Sequence, residues 1–261
     1  MMNVFDPHIH IKQIIIIGVG GTGAQVARTA ARMVYDMQRS RMHVPRILLI
    51  DPDRVESKNC GRQLFLPSEI ETFKAETVGR RLNLALGLDM AWITEPVNAD
   101  KHFDRSGSVV VSCVDNHLAR REISRIAGNH VFISAGNHEY SGQVCISNCG
   151  DREQVMQHLD GKDGAYTYLP HESLLFPELL EPQPESETEP APVSCADSVL
   201  VGDQSILIND WMACLIGNYL YALLYRRPIT SFLSFIHCDE MVSTRNIPIN
   251  REELLAYLKS S

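Results

Sequence analysis

Short runs of branched aliphatic residues alternate with amphipathic stretches along the first half of the chain. Residues 13–18 read QIIIIG, which is typical of a central strand covered on both faces. Apolar residues then recur at helical spacing over residues 23–38, and a second aliphatic run covers residues 46–51. A strand, a glycine turn, a helix and a second strand predict the opening of a doubly wound α/β fold.

The rest of the chain continues this alternation. The pattern predicts helices over residues 68–86 and 117–128, and strands over residues 92–97, 108–114, 131–135, 143–147 and 232–238. A long helix before the last strand is marked by apolar residues at helical spacing: Ile206, Ile208, Trp211, Leu215, Tyr219 and Leu223. We therefore expect a single Rossmann-like α/β domain over residues 1–261. Its sheet would be mixed and largely parallel, with helices on both faces and a C-terminal part that caps it.

The composition changes near residue 177. Residues 177–192 contain five prolines and five glutamates and no positive charge. Such a segment cannot pack a core, so we predict an exposed crossover loop over residues 177–195. This loop would join the N-terminal half, residues 1–160, to the C-terminal part, residues 196–261.

The net charge of the chain and its distribution limit the kinds of molecule that it is expected to bind. The chain has 261 residues, and 24 Lys and Arg against 32 Asp and Glu give a formal net charge of −8. Residues 163–225 contain ten acids and no Lys or Arg, so the remainder carries about +2. A nucleic-acid-binding protein normally presents a basic face, so the balance argues against that class. A partner of the acidic segment is expected to be neutral or basic there.

The cysteines and the apolar runs bear on the compartment. Seven cysteines at scattered spacings do not resemble a secreted disulfide framework, and no signal-peptide pattern opens the chain. The most apolar long run, residues 206–224, contains Asn209, Asp210 and Asn218. These polar residues argue against a membrane span and for a buried or half-buried helix. We expect a soluble, cytoplasmic protein without a membrane partner.

The first strand and helix are joined by a glycine motif, Gly18-x-Gly20-Gly21-x-Gly23. Glycines let a backbone turn tightly and approach phosphates, and a helix N-terminus offers unpaired N–H groups and a positive dipole end. Asp51, at the tip of the second strand, is placed to bind ribose hydroxyls. We therefore interpret residues 1–160 as a nucleotide-binding half. Dehydrogenases and methyltransferases share this pattern, so it does not define the reaction.

The residues that follow carry a more specific signal. Residues 51–65 read DPDRVESKNCGRQLF, Lys74 follows, and a D-N-x-x-x-R motif comes after a later strand. The chain resembles the ThiF/MoeB family of adenylating enzymes, which are akin to ubiquitin-activating enzymes. The matching positions are Asp51, Asp53, Asn59, Arg62, Gln63, Lys74, Asp115, Asn116 and Arg120. The resemblance covers residues 14–120 and resumes at residues 194–202, and it looks most like the ThiF-related proteins of PRTRC cassettes.

This resemblance implies ATP- and Mg²⁺-dependent adenylation of the C-terminal carboxylate of a small ubiquitin-like or sulfur-carrier protein, by a homodimer. The glycines and Asp51 would hold adenosine and phosphates, and Asp53, Asn116 and Arg120 would also lie at the nucleotide. The triphosphate ligands would be Asn59, Arg62, Gln63 and Lys74, and Asp115 would bind Mg²⁺. Taken singly, Lys74 is better explained as a solvated helix residue and Arg62 as a surface ion pair. Because all of the family's motif residues occur in the expected order, a nucleotide-binding site is favoured over these separate explanations.

Cys195 is the candidate acyl acceptor. The resemblance places here a cysteine that can receive the activated carboxyl as a thioester or a persulfide. The surrounding acids would raise the pKa of its thiol, which disfavours the thiolate nucleophile. A nucleophilic role and a structural role for this cysteine both remain open.

Two departures from the family pattern affect these expectations. Cys145-x-x-x-Cys149 is the only close cysteine pair, and His237 with Cys238 would complete a tetrahedral site poorly, so a structural zinc is not expected. Relatives also begin with an arginine motif that reaches the partner subunit's ATP, and this chain has none. Either another arginine, with Arg41 and Arg46 as candidates, supplies that charge, or adenylation is weakened.

Two other function classes remain open. One, supported by the missing arginine motif, is a ThiF-like scaffold that binds nucleotide or partner without adenylating. The other, which rests on the glycine turn alone, is an NAD-dependent oxidoreductase. That reading would leave Arg62, Lys74 and Asp115 without a shared task.

Overall fold

The centre of the fold is a mixed eight-stranded sheet. The structure is a computed structural model, and it describes residues 2–103, 107–138, 140–182 and 207–259. The strands of the parallel part are β2 (Gln13–Ile17), β3 (Arg46–Ile50), β4 (Ala91–Ile93), β5 (Ser108–Ser112) and β6 (Val131–Asn137). β7 (Ser141–Ser147), β9 (Ser231–His237) and β10 (Ser243–Pro248) continue the sheet antiparallel. The strand order is β10-β9-β7-β6-β5-β2-β3-β4.

The sheet is covered on both faces. The aliphatic side chains of β2 alternate between two hydrophobic clusters, with Ile14 and Ile16 in one and Ile15 and Ile17 in the other. This double burial explains why β2 has no polar alternation. The fold class that the sequence predicts, an α/β fold with a largely parallel sheet, is confirmed.

Helices fill both layers around this sheet. The longer ones are α1 (Gly21–Arg39), α2 (Lys74–Leu86), α3 (His117–Ser124), α6 (Ile208–Leu224) and α7 (Arg251–Lys259). The shorter elements are β1 (Val4–Phe5), α4 (Arg152–Gln157), β8 (Ala165–Tyr166) and α5 (Glu172–Leu175). α6 packs along α1 and lies against β6, β7 and β9, which places the start of this C-terminal helix beside the glycine turn.

Several predicted boundaries are wrong. The helix predicted over residues 68–86 begins only at Lys74, because a 3-10 turn at Pro67–Glu69 holds the preceding segment. The strand predicted over residues 92–97 is Ala91–Ile93. The sequence pattern missed β10 and α7, so the C-terminal part extends the sheet as well as packing on it.

The long apolar helix is confirmed as α6, with a shifted buried face. Trp211 is 39% exposed, whereas Met212, Ile216 and Leu220 are buried. Ile206 lies outside the described residues. Among the residues that the structure describes, no helix is long and apolar enough to cross a membrane.

The predicted crossover loop is described only at its beginning. Pro177–Leu180 forms a 3-10 turn, and Arg121 binds the carbonyl of Leu180 at 2.5 Å and the carboxylate of Glu181 at 3.0 Å. The remainder of the loop, with Cys195, lies outside the described residues.

Candidate functional site

A cavity of about 470 Å³ opens at the carboxyl ends of the central parallel strands. It lies where β2 sits between β3 and β5. The chain adds β3 and β4 on one side of β2 and then crosses over to add β5 and β6 on the other side. Ligands of open α/β sheets bind at such switch points. Most of the predicted site residues line this cavity: Gly18, Gly20, Gly21, Asp51, Asp53, Asn59, Arg62, Gln63, Lys74, Asp115 and Asn116.

The glycine turn is shaped by close backbone packing. Gly18 has φ +81°, and a Cβ there would lie 2.7 Å from the carbonyl oxygen of Cys113. A Cβ on Gly23 would lie 1.8 Å from the Gly18 carbonyl oxygen, so the helix can start this close to the strand only with glycine. Gly23 therefore shapes the turn without lining the cavity. The first N–H groups of α1 have no partner within the helix, and a helix start of this kind is suited to bind an anion.

Asp51 ties the second strand to the glycine turn. It is 4% exposed, and its carboxylate accepts the N–H of Val19 at 2.5 Å and the N–H of Asp53 at 2.8 Å. Burial raises the pKa of Asp51 to about 6, although Lys74 and both backbone N–H groups act in the opposite direction. The carboxylate is thus fixed at the rim of the turn, where hydroxyl donors of a ribose could reach it.

Lys74 presents a positive charge in the cavity wall. Its Nζ lies 2.9 Å from Asp53 Oδ2, and its backbone N–H donates to the Asp53 carbonyl at 2.9 Å. The Lys74 side chain is only 10% exposed, whereas Asp53 is 63% exposed. A solvated helix lysine would be more exposed, so this ammonium is held in place by Asp53.

The segment from Asn59 to Gln63 forms another wall. Asn59 is buried, and its Oδ1 accepts the N–H of Glu56 at 2.8 Å, so its side chain shapes the loop as well as lining the cavity. Arg62 lines the cavity beside it. The Gln63 amide lies 3.9 Å from the Cβ position of Gly20, and its Oε1 is buried without a hydrogen bond to any described residue.

Asp115 and Asn116 follow β5 at the same edge of the sheet. Asp115 is exposed to the cavity and makes no hydrogen bond within the described part of the chain. Asn116 caps α3 by accepting the N–H of Ala119 at 2.9 Å. Asn116 therefore stabilises the start of α3, whereas the Asp115 carboxylate remains accessible to a ligand in the cavity.

Arg120, in contrast, does not line the cavity. It is 6% exposed, and its guanidinium donates to the Glu172 carboxylate and to the carbonyls of Val114 and Ala135 at 2.8–3.1 Å. Burial raises the pKa of Glu172, with Arg120 opposing. The structure gives Arg120 a buried structural pairing, and its predicted nucleotide contact has no support in this geometry.

Sequence reasoning missed several cavity residues. Asn209, from α6, accepts the Thr22 hydroxyl at 2.9 Å and the Asn137 amide at 3.4 Å, and all three side chains line the cavity. The available signal was a polar residue inside an apolar run. Cys113 also lines the cavity, and burial raises its pKa to about 12 against the effect of Arg120, which does not suit a thiolate nucleophile.

The two candidate replacements for the missing arginine motif lie elsewhere. Arg46 is the first residue of β3, whereas the cavity opens at the last residues of that strand. Arg41 is exposed in the turn that precedes it. Within one chain, neither side chain is placed at the cavity.

The donor set fits a magnesium ion better than a zinc ion. Mg²⁺ is bound through one or two protein carboxylates plus substrate phosphates and water. Asp115, an open carboxylate on the cavity wall, suits that role. Within residues 2–103, 107–138, 140–182 and 207–259, no group of three or more His, Cys, Asp or Glu residues could hold a metal by itself.

These features define a Rossmann-like α/β protein with a cavity at the switch point of its sheet. The chain belongs to the ThiF family, whose sequence profile matches residues 7–246.

Among curated proteins, the chain is similar to ubiquitin-like modifier-activating enzyme 5 of several animals. It is 31% identical to the Drosophila ananassae protein over 141 residues, which cover 47% of this chain and 33% of that protein. It is 30% identical to the Aedes aegypti protein over 163 residues, which cover 55% of this chain and 38% of that protein. The matched region thus spans between 33% and 38% of the length of these two relatives.

Among solved structures, the fold is similar to that of Escherichia coli MccB. The structure of MccB with ATP superimposes with a TM-score of 0.56 at 17% identity, covering 91% of this chain and 63% of MccB. The structure of MccB with AMPCPP and MccA gives a TM-score of 0.57 at 18% identity, covering 91% and 64%. At this identity, the similarity concerns the fold.

Proposed function

We propose that this protein adenylates the C-terminal carboxylate of a small protein, with ATP as the second substrate. One observation carries the proposal: a single cavity combines the glycine turn, the buried Asp51, the held Lys74 and the open Asp115. An NAD-dependent oxidoreductase would need the glycine turn and Asp51, but it would have no use for a cation and an open carboxylate in the same cavity.

The residues suggest how the reaction would proceed. Asp51 would accept the ribose hydroxyls, and the N-terminus of α1 would face the phosphates. An oxygen of the partner's carboxylate would attack the α-phosphorus, forming a P–O bond while the bond to the β-phosphate breaks and pyrophosphate leaves. Lys74 and Arg62 would neutralise the charge on the phosphoryl oxygens, so catalysis would be mainly positioning and electrostatic stabilisation.

Asp115 would hold Mg²⁺ at the cavity wall, and the ion would supply charge neutralisation at the phosphates. The walls of the cavity would be shaped or supported by Asn59, Gln63, Asp53 and Asn116. Cys195 would be the acceptor in a following step, in which its sulfur attacks the acyl carbon and AMP leaves.

The partner would be a small ubiquitin-like or sulfur-carrier protein. The relatives are named as activating enzymes of a ubiquitin-like modifier, and one MccB structure contains MccA, which supports a protein or peptide substrate. We further propose a cytoplasmic homodimer in which residues 1–261 act as one ThiF-like unit. Its GRQLF block and LFPELLEP segment support a place with the PRTRC-associated members of the family.

The proposal can be tested by the exchange of labelled pyrophosphate into ATP. The acceptor would be the small-protein fraction of an extract from the source cells, assayed with the full-length protein. We expect exchange with the wild type, loss of exchange in Lys74→Ala and Asp115→Ala, and no change in Lys162→Ala, an exposed lysine remote from the cavity. Binding of Mg-ATP without exchange would favour the non-catalytic scaffold.

A further inference from the structure

The start of α6 places one amide deep in the cavity. Asn209 is the second residue of this helix and is 7% exposed, and its neighbours Ile208 and Met212 are fully buried apolar residues. It nevertheless lines the cavity, from a part of the chain 187 residues away from Thr22. A polar group is retained in such surroundings only when its hydrogen bonds are satisfied.

The two ends of the Asn209 amide are not equally satisfied. Its Oδ1 accepts the Thr22 hydroxyl at 2.9 Å and the Asn137 amide at 3.4 Å. Its Nδ2 makes no hydrogen bond within the described part of the chain. Because both acceptor contacts hold the oxygen, the nitrogen is directed away from Thr22 and Asn137 and is left as a donor.

The position of that donor is fixed against the glycine turn. A Cβ built on Gly21 would lie 2.6 Å from Asn209 Nδ2 and 2.8 Å from its Cγ. Gly21 is the first residue of α1, so Nδ2 lies beside the helix N-terminus and its unpaired N–H groups. The third glycine of the motif is therefore needed to make room for Asn209.

We propose that Asn209 is a phosphate-binding residue of the cavity, whose Nδ2 donates to an oxygen of the nucleotide's phosphates at the N-terminus of α1. This inference rests on the proposed function, because it takes ATP as the ligand. It assigns a hydrogen-bond donor from the C-terminal part of the chain to a site otherwise built from the N-terminal half. Phosphate binding would then depend on the docking of α6 against α1.

The test compares ATP with adenosine, each titrated into wild type, Asn209→Asp, Asn209→Ala and Asn218→Asp. Asn209→Asp keeps an oxygen for Thr22 and Asn137 but replaces the donor by a negatively charged oxygen. Asn218 is an exposed residue on the same helix, so Asn218→Asp is the matched control for charge. Hydrogen bonds to charged groups are strong enough that both Asn209 variants should lose Mg-ATP affinity by roughly tenfold or more, Asp more than Ala.

Adenosine separates this role from a folding role. We expect the Asn209 variants to bind adenosine as the wild type does, and Asn218→Asp to bind both ligands normally. Equal losses for ATP and adenosine, or no loss for either, would overturn the proposal. If Asn209→Asp fails to fold, Asn209→Ala still allows the loss of ATP affinity to be compared with the loss of adenosine affinity. A wild type that binds no ATP would refute the proposed function itself, which is a different outcome.

Discussion

The guanidinium of Arg120 donates to both carboxylate oxygens of Glu172, at 3.1 and 3.0 Å, in a pair that is buried on both sides. The same guanidinium binds the carbonyl of Val114, the residue before Asp115. The motif arginine that was expected at the nucleotide thus connects α5 to the end of β5, where Asp115 leaves the sheet.

Arg120→Leu should unfold at lower denaturant concentration than the wild type. It removes the guanidinium from the buried Glu172 carboxylate and from the carbonyls of Val114 and Ala135, and breaking such a buried pair costs about 3–5 kcal/mol. Urea denaturation measures the loss. The exposed neighbour Arg121 provides the control, because Arg121→Ala should cost under about 1 kcal/mol.

Replacing both partners completes this test. The double variant Arg120→Leu with Glu172→Leu should be more stable than Arg120→Leu alone, because no charge is left buried. If Arg120→Leu kept full stability and lost only ATP affinity, Arg120 would instead be a nucleotide ligand, as the sequence motif suggests.

Gly21→Ala should destabilise the wild-type background by about 1–3 kcal/mol, because its methyl would overlap the Asn209 amide. In an Asn209→Ala background the same change should be neutral or stabilising, since alanine is a better helix former than glycine. Thermal or urea unfolding of the wild type, the two single variants and the double variant gives the coupling free energy between Gly21 and Asn209. Equal costs in both backgrounds would show that the two residues do not meet.

Affinity for adenosine should fall as the pH decreases through about 6. Burial raises the pKa of Asp51 to about 6, so above this pH the carboxylate is ionised and can accept ribose hydroxyls, and below it protonation removes an acceptor. Well below the pKa, the loss should approach about tenfold per pH unit. Adenosine avoids the phosphate group of ATP, which titrates in the same range. Asp51→Asn should bind adenosine weakly at every pH. An affinity of the wild type for adenosine that does not change from pH 7 to pH 5 would refute the role of Asp51 as a ribose acceptor.

Asp53 should act on nucleotide binding through Lys74. Lys74→Ala removes the charge and should weaken Mg-ATP binding by about tenfold or more, whereas Asp53→Asn keeps the ammonium but loosens it and should weaken binding less. Once Lys74 is alanine, Asp53→Asn should have no further effect. Calorimetric titration of the single and double variants measures this coupling, and additive losses would mean that Asp53 contacts the ligand by itself.

The sequence was informative where the chemistry is local. A glycine turn, an acid at a strand tip and an open carboxylate after a strand are each specified by adjacent residues, and the structure gathers Gly18, Asp51 and Asp115 around one cavity. Buried aliphatic runs likewise predicted the parallel strands, because double burial leaves no polar alternation.

The sequence was uninformative where two interacting residues are distant along the chain. Nothing near Arg120 indicates Glu172, 52 residues later, and nothing near Thr22 indicates Asn209, 187 residues later. The helix boundary at Lys74 was missed for a related reason. Glu69 accepts the N–H of Leu66 and pairs with Arg81, so tertiary contacts hold residues that helical periodicity alone would include.

Calorimetric titration of Mg-ATP and of NAD into the wild type and Asp115→Ala is the decisive measurement for a nucleotide site of the adenylating type. Asp115 is exposed and makes no hydrogen bond to any other described residue, so the variant should fold normally. We expect that Mg-ATP binds the wild type, that Asp115→Ala weakens this binding, and that NAD gives no heat. Binding of NAD that the variant leaves unchanged, with no binding of Mg-ATP, would contradict it.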